Sequence, residues 1–168
     1  MIWLGSFWSR PPGKPSIVSI ASWNPPWFAG STIRELAPED SAGQRISHAS
    51  KERWIELYKR VLSERGRIRS ACAEVDRLLL ANGGNIMLAC WCKAGRTRRD
   101  GSYSGNFCHR LLAGRLLHRI GYEVEVIDLE CPRCGDKLSF DGCFAEDGFV
   151  CRRCAPSGEV PQHSGSHR

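Results

Sequence analysis

The sequence predicts an α/β domain, a largely parallel sheet flanked by helices, followed by a small cysteine-rich module. Three observations lead there. Short β-branched or apolar runs alternate with helical patterns in the order strand, helices, strand, helix, strand. The run between Asn85 and Cys90 (NIMLAC) is apolar throughout, as a strand covered on both faces should be. Two Cys-x-x-Cys pairs close the chain in CPRCGDKLSFDGCFAEDGFVCRRC.

Residues 1–15 are rich in aromatics and proline and read as a separate N-terminal segment, with Trp3, Phe7 and Trp8 either anchoring the terminus on the core or meeting a partner. Ser16 to Ala21 (SIVSIA) is short, apolar and β-branched and reads as the buried first strand, stopped by the prolines of SWNPPW. From Phe28 to Ala49, Gly, Pro, Ser and charge without a period predict a long loop with at most one helical turn. Trp54, Leu57, Tyr58, Val61 and Leu62 recur at helical spacing, with Ser50 as N-cap and Gly66 as the stop. A second helix follows, with Ile68, Cys72, Val75 and Leu79 on its apolar stripe and Asn82-Gly83-Gly84 at its end. The strand ending at Cys90 delivers Trp91 and Cys92. A 15-residue linker then carries Lys93, Arg96, Arg98 and Arg99, with glycines and serines around Tyr103, a composition that predicts mobility. Leu112, Leu116, Leu117 and Ile120 give a third helix ending at Gly121, and Glu123 to Leu129 alternates like a strand. The polar tail over 156–168 reads as disordered.

Cys131, Cys134, Cys151 and Cys154 form two pairs separated by a 16-residue loop. Two such knuckles facing each other complete the tetrahedral sulfur shell that Zn²⁺ prefers, which predicts a zinc ribbon over 130–155 with a structural ion. Four sulfurs leave no open position for a substrate. Disulfides are the competing reading, disfavoured by nine cysteines, an odd number, and by an opening that lacks the features of a secretory signal. No run is long enough to span a bilayer, and the expected location is a reducing cytoplasm.

The net charge of +6 is uneven. Residues 130–168 carry five Lys/Arg against six Asp/Glu, so 1–129 holds 19 against 12, a balance of +7. The basic face belongs to the main domain, which favours an anionic partner there, a nucleotide or nucleic acid. Arg96, Arg98 and Arg99 are candidate phosphate contacts, and a solvated charge run is the bland alternative. Trp23 and Trp27 flank Asn24-Pro25-Pro26 just beyond the first strand and are candidates for stacking on a base, against a packed lid. Trp54, on a helical apolar face, belongs to the core.

The second cysteine constellation is Cys90-Trp91-Cys92 at a strand end and Cys108-His109-Arg110 at a helix start. Open α/β sheets gather ligands beyond the carboxyl ends of their strands, beside helix N-termini. Three readings fit. In the first, the pocket binds a nucleotide-like anion and acts on it: Arg110 holds a phosphate or carboxylate, Cys108, its pKa depressed by the helix start and basic neighbours, is nucleophile or ligand, and His109 moves a proton. In the second, Cys90, Cys92, Cys108 and His109 hold a further zinc ion. In the third, the cysteines are core residues and the histidine and arginine make ordinary hydrogen bonds.

IVSIASWNPPWFAGSTIRELAPE, ERWIELYKRVL, and IMLACW followed by FCHRLLAGRLLHRIGYEVEVI resemble the family catalogued as domain of unknown function 488 over residues 16–129. The resemblance implies a Rossmann-like α/β fold, aligns Cys90 with the family's strand-end cysteine and Cys108, His109 and Arg110 with its Cys-His-Arg motif, and carries no established reaction. The chain departs from the family's pattern in having Cys92 where an acidic residue is usual, in a longer and more basic linker, and in the added ribbon. A non-enzymatic binding module for RNA or a protein partner, with the ribbon as a contact surface, is the alternative function.

Overall fold

The computed structural model describes residues 1–40, 42–44, 46, 51–91, 108–127, 131, 133–136, 143–145 and 148–154. Its centre is a four-stranded, all-parallel sheet of β1 (Ile2–Ser6), β2 (Ser16–Ser19), β3 (Ile86–Cys90) and β4 (Val124–Val126), ordered β2-β3-β1-β4. Helices α1 (Lys51–Leu62) and α2 (Arg65–Ala81) connect β2 to β3, and α3 (His109–Ile120) lies between β3 and β4 in the chain. Parallel strands cannot be joined by tight hairpins, which is why helices fill two of the three connections.

The N-terminal segment is the main difference from expectation. It supplies β1, which runs between β3 and β4 and pairs with both, Ile2 opposite Ile86 and Val124. Ile2 and Leu4 are fully buried and Phe7 nearly so. The run MIWLGSFW is apolar but short, and its strand partners, Ile86–Cys90 and Val124–Val126, lie far along the chain, so nothing local marks it as a central strand. The strand expected over 16–21 is shorter, and Ile20 and Ala21 are buried just beyond it. The backbone at Ser31 and Ile33 covers its outer edge: Ser19 N–H donates to Ser31 O at 2.8 Å and Ile33 N–H to Ser19 O at 2.9 Å.

Among its described residues the long loop after β2 contains one 3₁₀ turn, Arg34–Leu36, within the at most one helical turn that its composition predicts. Helix side chains satisfy its carbonyls. Tyr58 Oη donates to Leu36 O at 2.6 Å, Arg67 Nε to Glu35 O at 2.7 Å, Arg67 Nη2 to Ala37 O at 2.9 Å and Trp54 Nε1 to Ile46 O at 3.3 Å. A loop carrying buried polar backbone needs such partners.

The helices sit where periodicity puts them, with two shifts. Gly66 is not the stop of α1; that helix ends at Leu62 and Gly66 lies in the first turn of α2. In α2 the buried residues are Ala71, Val75 and Leu78, while Ile68, Cys72 and Leu79 are half-buried flanks. On α3, Leu112 and Leu117 are buried as expected, together with His109, Arg110, Leu111, Ala113 and Gly114, while Ile120 is exposed. Small residues stand on these faces beside large ones, Ala71 with Val75 and Leu78 on α2, Ala113 and Gly114 with Leu111 and Leu117 on α3. Gly121 ends α3 with φ +116°, a left-handed conformation open to glycine, and its N–H caps Leu117 and His118 carbonyls. The reading of Ser50 as N-cap and of 156–168 as a disordered tail lies outside the described residues.

Because Leu4 is buried in a central strand, Leu4→Ala should cost about 2–5 kcal/mol in urea unfolding. Leu80→Ala, on the exposed side of α2, should cost less than about 0.5 kcal/mol. Equal losses would contradict the central placement of β1.

Candidate functional site

Strand register builds the site. Ser6 pairs with Cys90 and Ser19 with Ala89, so β1, β2 and β3 end at one level. The pairing continues past the strands, with Phe7 N–H donating to Cys90 O at 3.2 Å and Ile20 N–H to Ala89 O at 2.9 Å. Each strand then releases aromatic residues at the same edge: Phe7 and Trp8 after β1, Trp23, Trp27 and Phe28 after β2, Trp91 after β3.

These rings form one cluster. Trp23 and Trp91 overlap with centroids 4.1 Å apart and planes 32° from parallel, and Trp91 Nε1 donates to Trp23 O at 2.6 Å. Phe7 meets Trp91 at 5.7 Å, Trp27 at 6.0 Å and Phe28 at 5.2 Å, and Trp8 meets Trp91 at 5.6 Å. Phe7 is the buried hub, while Trp8, Trp23 and Trp27 are 50%, 55% and 60% exposed. Three half-exposed tryptophans thus form one aromatic patch at the strand ends. The exposed Arg34 approaches the same edge, its Nη1 donating to Ser22 O at 3.4 Å while also pairing with Glu39 at 3.5 Å.

At the inner end of β3, Cys90, Cys108 and His109 converge, with ligand atoms all within 4.8 Å of one another. The thiols are 3.2 Å apart. Cys108 is the N-cap residue of α3, with extended backbone, and His109 opens the helix. His109 Nε2 lies 2.8 Å from Ile20 O, tying α3 to the chain leaving β2, and Arg110 Nη1 lies 3.8 Å from Cys90 Sγ. Cys90, Cys108, His109 and Arg110 are all buried. The Tyr58 ring packs edge-on against His109, centroids 5.9 Å apart. Burial foremost, and then the Cys108 and Cys90 thiols, push the Tyr58 hydroxyl well above its ordinary pKa, against the pull of Arg67.

The other cluster comprises Cys131, Cys134, Cys151 and Cys154, whose sulfurs also lie within 4.8 Å of one another. The first knuckle is closed by Gly135 N–H donating to Cys131 O at 2.8 Å, with Gly135 at φ +75°, a conformation glycine supplies freely. Cys134 and Cys151 sulfurs are 3.4 Å apart, and Cys151 N–H points at Cys131 Sγ at 3.4 Å. Between the knuckles runs an antiparallel pair, β5 (Cys143–Ala145) and β6 (Gly148–Val150). Burial raises the Cys131 thiol pKa, but backbone N–H groups of Cys151, Arg133 and Cys134 outweigh it and bring it to about 7. Cys154 is pushed up to about 12 by burial and by the Cys134 and Cys151 thiols. Cys134 accepts the Asp136 N–H, which favours its thiolate, yet burial and the neighbouring thiols carry it upward. Such thiols cannot all ionise together without a cation among them, and a bound metal ion resolves the conflict.

The structure therefore brings together Cys90, Cys108, His109 and Arg110 in one buried group and Trp23 and Trp27 in the exposed edge beside it. Cys92, Arg96, Arg98 and Arg99 lie outside the described residues, so their expected roles do too. Trp54 is buried, as its helical face predicts. Sequence reasoning missed Phe7 and Trp8 as members of the edge, because only the strand assignment of Ile2–Ser6 puts them level with Trp91. No protein-family model, curated protein or solved structure matches the chain. Fold and site together define an α/β protein with a parallel sheet and, among its described residues, two cysteine-based clusters able to hold a metal ion. No helix among the described residues is long and apolar enough to cross a membrane.

Tyr58 supplies a stability test. A phenol with a raised folded-state pKa contributes stability that is present below its unfolded value, about 10, and lost as pH rises toward the folded one, because the unfolded chain there binds fewer protons. Tyr58→Phe should cost about 1–3 kcal/mol at neutral pH by orphaning the Leu36 carbonyl. The same substitution should make the urea midpoint fall less between pH 8 and pH 11 than in wild type; an identical fall would show that Tyr58 does not govern the alkaline limb.

Proposed function

We propose that the strand-end edge is a base-stacking site for a nucleotide or single-stranded nucleic acid, on a domain with a zinc ribbon at its C-terminal side. The observation that carries this reading is the convergence of Trp8, Trp23, Trp27 and Trp91 at the carboxyl end of a parallel sheet, three of them about half exposed. Every base has a π face, and each base stacked on an aromatic ring contributes about 1–3 kcal/mol. The +7 balance of residues 1–129 supplies attraction for phosphates. Arg34 stands at the edge itself, and the basic linker leaves β3 at the same end of the sheet.

The buried position of Cys108, His109 and Arg110 supports a binding module over a catalyst. A nucleophile or proton carrier must reach its substrate, and these side chains are 1%, 7% and 0% exposed. Their part in this reading is to fix the edge from beneath. Zinc suits the four-cysteine cluster because all four donors are thiolate-forming and the two knuckles sit either side of a hairpin, with the ribbon offering a contact surface for nucleic acid or a protein. The order of elements supports the kinship with domain of unknown function 488, since Cys90 ends a strand and Cys-His-Arg opens the next helix.

A labelled single-stranded oligonucleotide should bind the full chain at low salt by fluorescence polarisation, with affinity falling steeply as salt is raised. Trp23→Ala should weaken binding about 5- to 150-fold, the equivalent of one lost stack. No binding of DNA, RNA or mononucleotides at low salt would refute the reading. Chelation of zinc should unfold the Cys143–Val150 hairpin while leaving the helical circular dichroism signal of the main domain nearly intact.

A further inference from the structure

We infer that Cys90 Sγ, Cys108 Sγ and His109 Nδ1 form a second, buried site for a thiophilic divalent cation, Zn²⁺ by the chemistry of its donors. The inference rests on this cluster's own geometry and is independent of nucleic-acid binding and of the ribbon. Three donor atoms of the kinds zinc prefers lie within 4.8 Å of one another. The two sulfurs, 3.2 Å apart, are well beyond a disulfide bond of about 2.05 Å. They are near the separation of about 3.8 Å that follows from two Zn–S bonds of about 2.3 Å in a tetrahedron.

His109 supplies the second, independent observation. A carbonyl oxygen only accepts, so the 2.8 Å contact with Ile20 O places the proton on Nε2. In the neutral ring the lone pair then belongs to Nδ1. A ring tied through one N–H to a backbone carbonyl is how a metal-bound histidine is oriented by its outer partner. Arg110 Nη1 also contacts Cys90 Sγ, at 3.8 Å.

The donors stand on firm elements: Cys90 ends the fully buried strand β3, Cys108 is the N-cap of α3, and the Ile20 carbonyl follows β2. Pre-positioned ligands of this kind lose little freedom on loading. When an M²⁺ ion binds, the two S–H bonds give up their protons to solvent and two S–M bonds form. The M²⁺ dithiolate unit carries no net charge, which suits a site of this burial. One ion would join β3, α3 and, through His109, the β2 loop directly beneath the Trp23–Trp91 pair.

The test is Co²⁺ titration of the reduced, metal-free full-length chain. Wild type should take up two ions, one with the charge-transfer intensity of four thiolates and one with that of two. Cys134→Ser should remove the first and keep the second. His109→Gln, whose amide can still donate to Ile20 O, should remove the second and keep the first, with circular dichroism unchanged; Cys108→Ser should do the same, and His109→Gln decides if Cys108→Ser does not fold. One ion in wild type that His109→Gln abolishes and Cys134→Ser spares would uphold this site and sink the ribbon. One ion that His109→Gln leaves in place, or none, would overturn the inference. So would an isolated protein lighter by two hydrogens with Cys90 linked to Cys108.

Discussion

The in-register parallel pairing of β3 with both β1 and β2 is the constraint on which the rest depends. Five consecutive residues, Ile86 to Cys90, are completely buried, and each is held at a fixed height against Ile2–Ser6 on one side, the first four also against Ser16–Ser19 on the other. Side chains alternate across a sheet, so a slip of one residue would turn Cys90 to the other face and carry Trp91 away from Trp23. The register sets both layers of the site: the tryptophans at the strand ends and the cysteine-histidine group just inside them.

Those layers obey different physics. The inner group is buried, with Cys90, Cys108, His109 and Arg110 all largely withdrawn from solvent, and buried polar groups need partners. The outer patch is wet, and its exposed indoles are energetically available to a partner. The hydrogen bond from Trp91 to the Trp23 carbonyl connects the outer rings to the backbone that holds His109, because Trp23 and Ile20 are three residues apart on one loop.

Much of this was legible in the sequence. The parallel α/β class followed from the order of patterns, the helix end at Gly121 from glycine chemistry, and the two cysteine clusters from spacing. Trp23 and Trp91 were expected at one strand-end pocket and they overlap there. Less legible was β1, because its apolar run is short and its strand partners, Ile86–Cys90 and Val124–Val126, lie far along the chain. Periodicity found part of the buried faces of α2 and α3, with Val75, Leu112 and Leu117 buried as expected, and missed Ala71, Ala113 and Gly114, which carry little hydrophobic weight. Cys108 and His109 were expected in one cluster with Cys90 and Cys92; the structure brings Cys90, Cys108 and His109 together, and Cys92 lies outside the described residues.

The account is tested most directly by following the six tryptophan indole N–H signals in a ¹H–¹⁵N NMR titration of the full chain with a single-stranded oligonucleotide. Trp8, Trp23, Trp27 and Trp91 should shift together and saturably, while Trp54, buried and bonded to Ile46 O, and Trp3, within β1, stay in place. Shifts confined to Trp3 or Trp54, or no shifts while the oligonucleotide is bound, would contradict the strand-end edge as the binding surface.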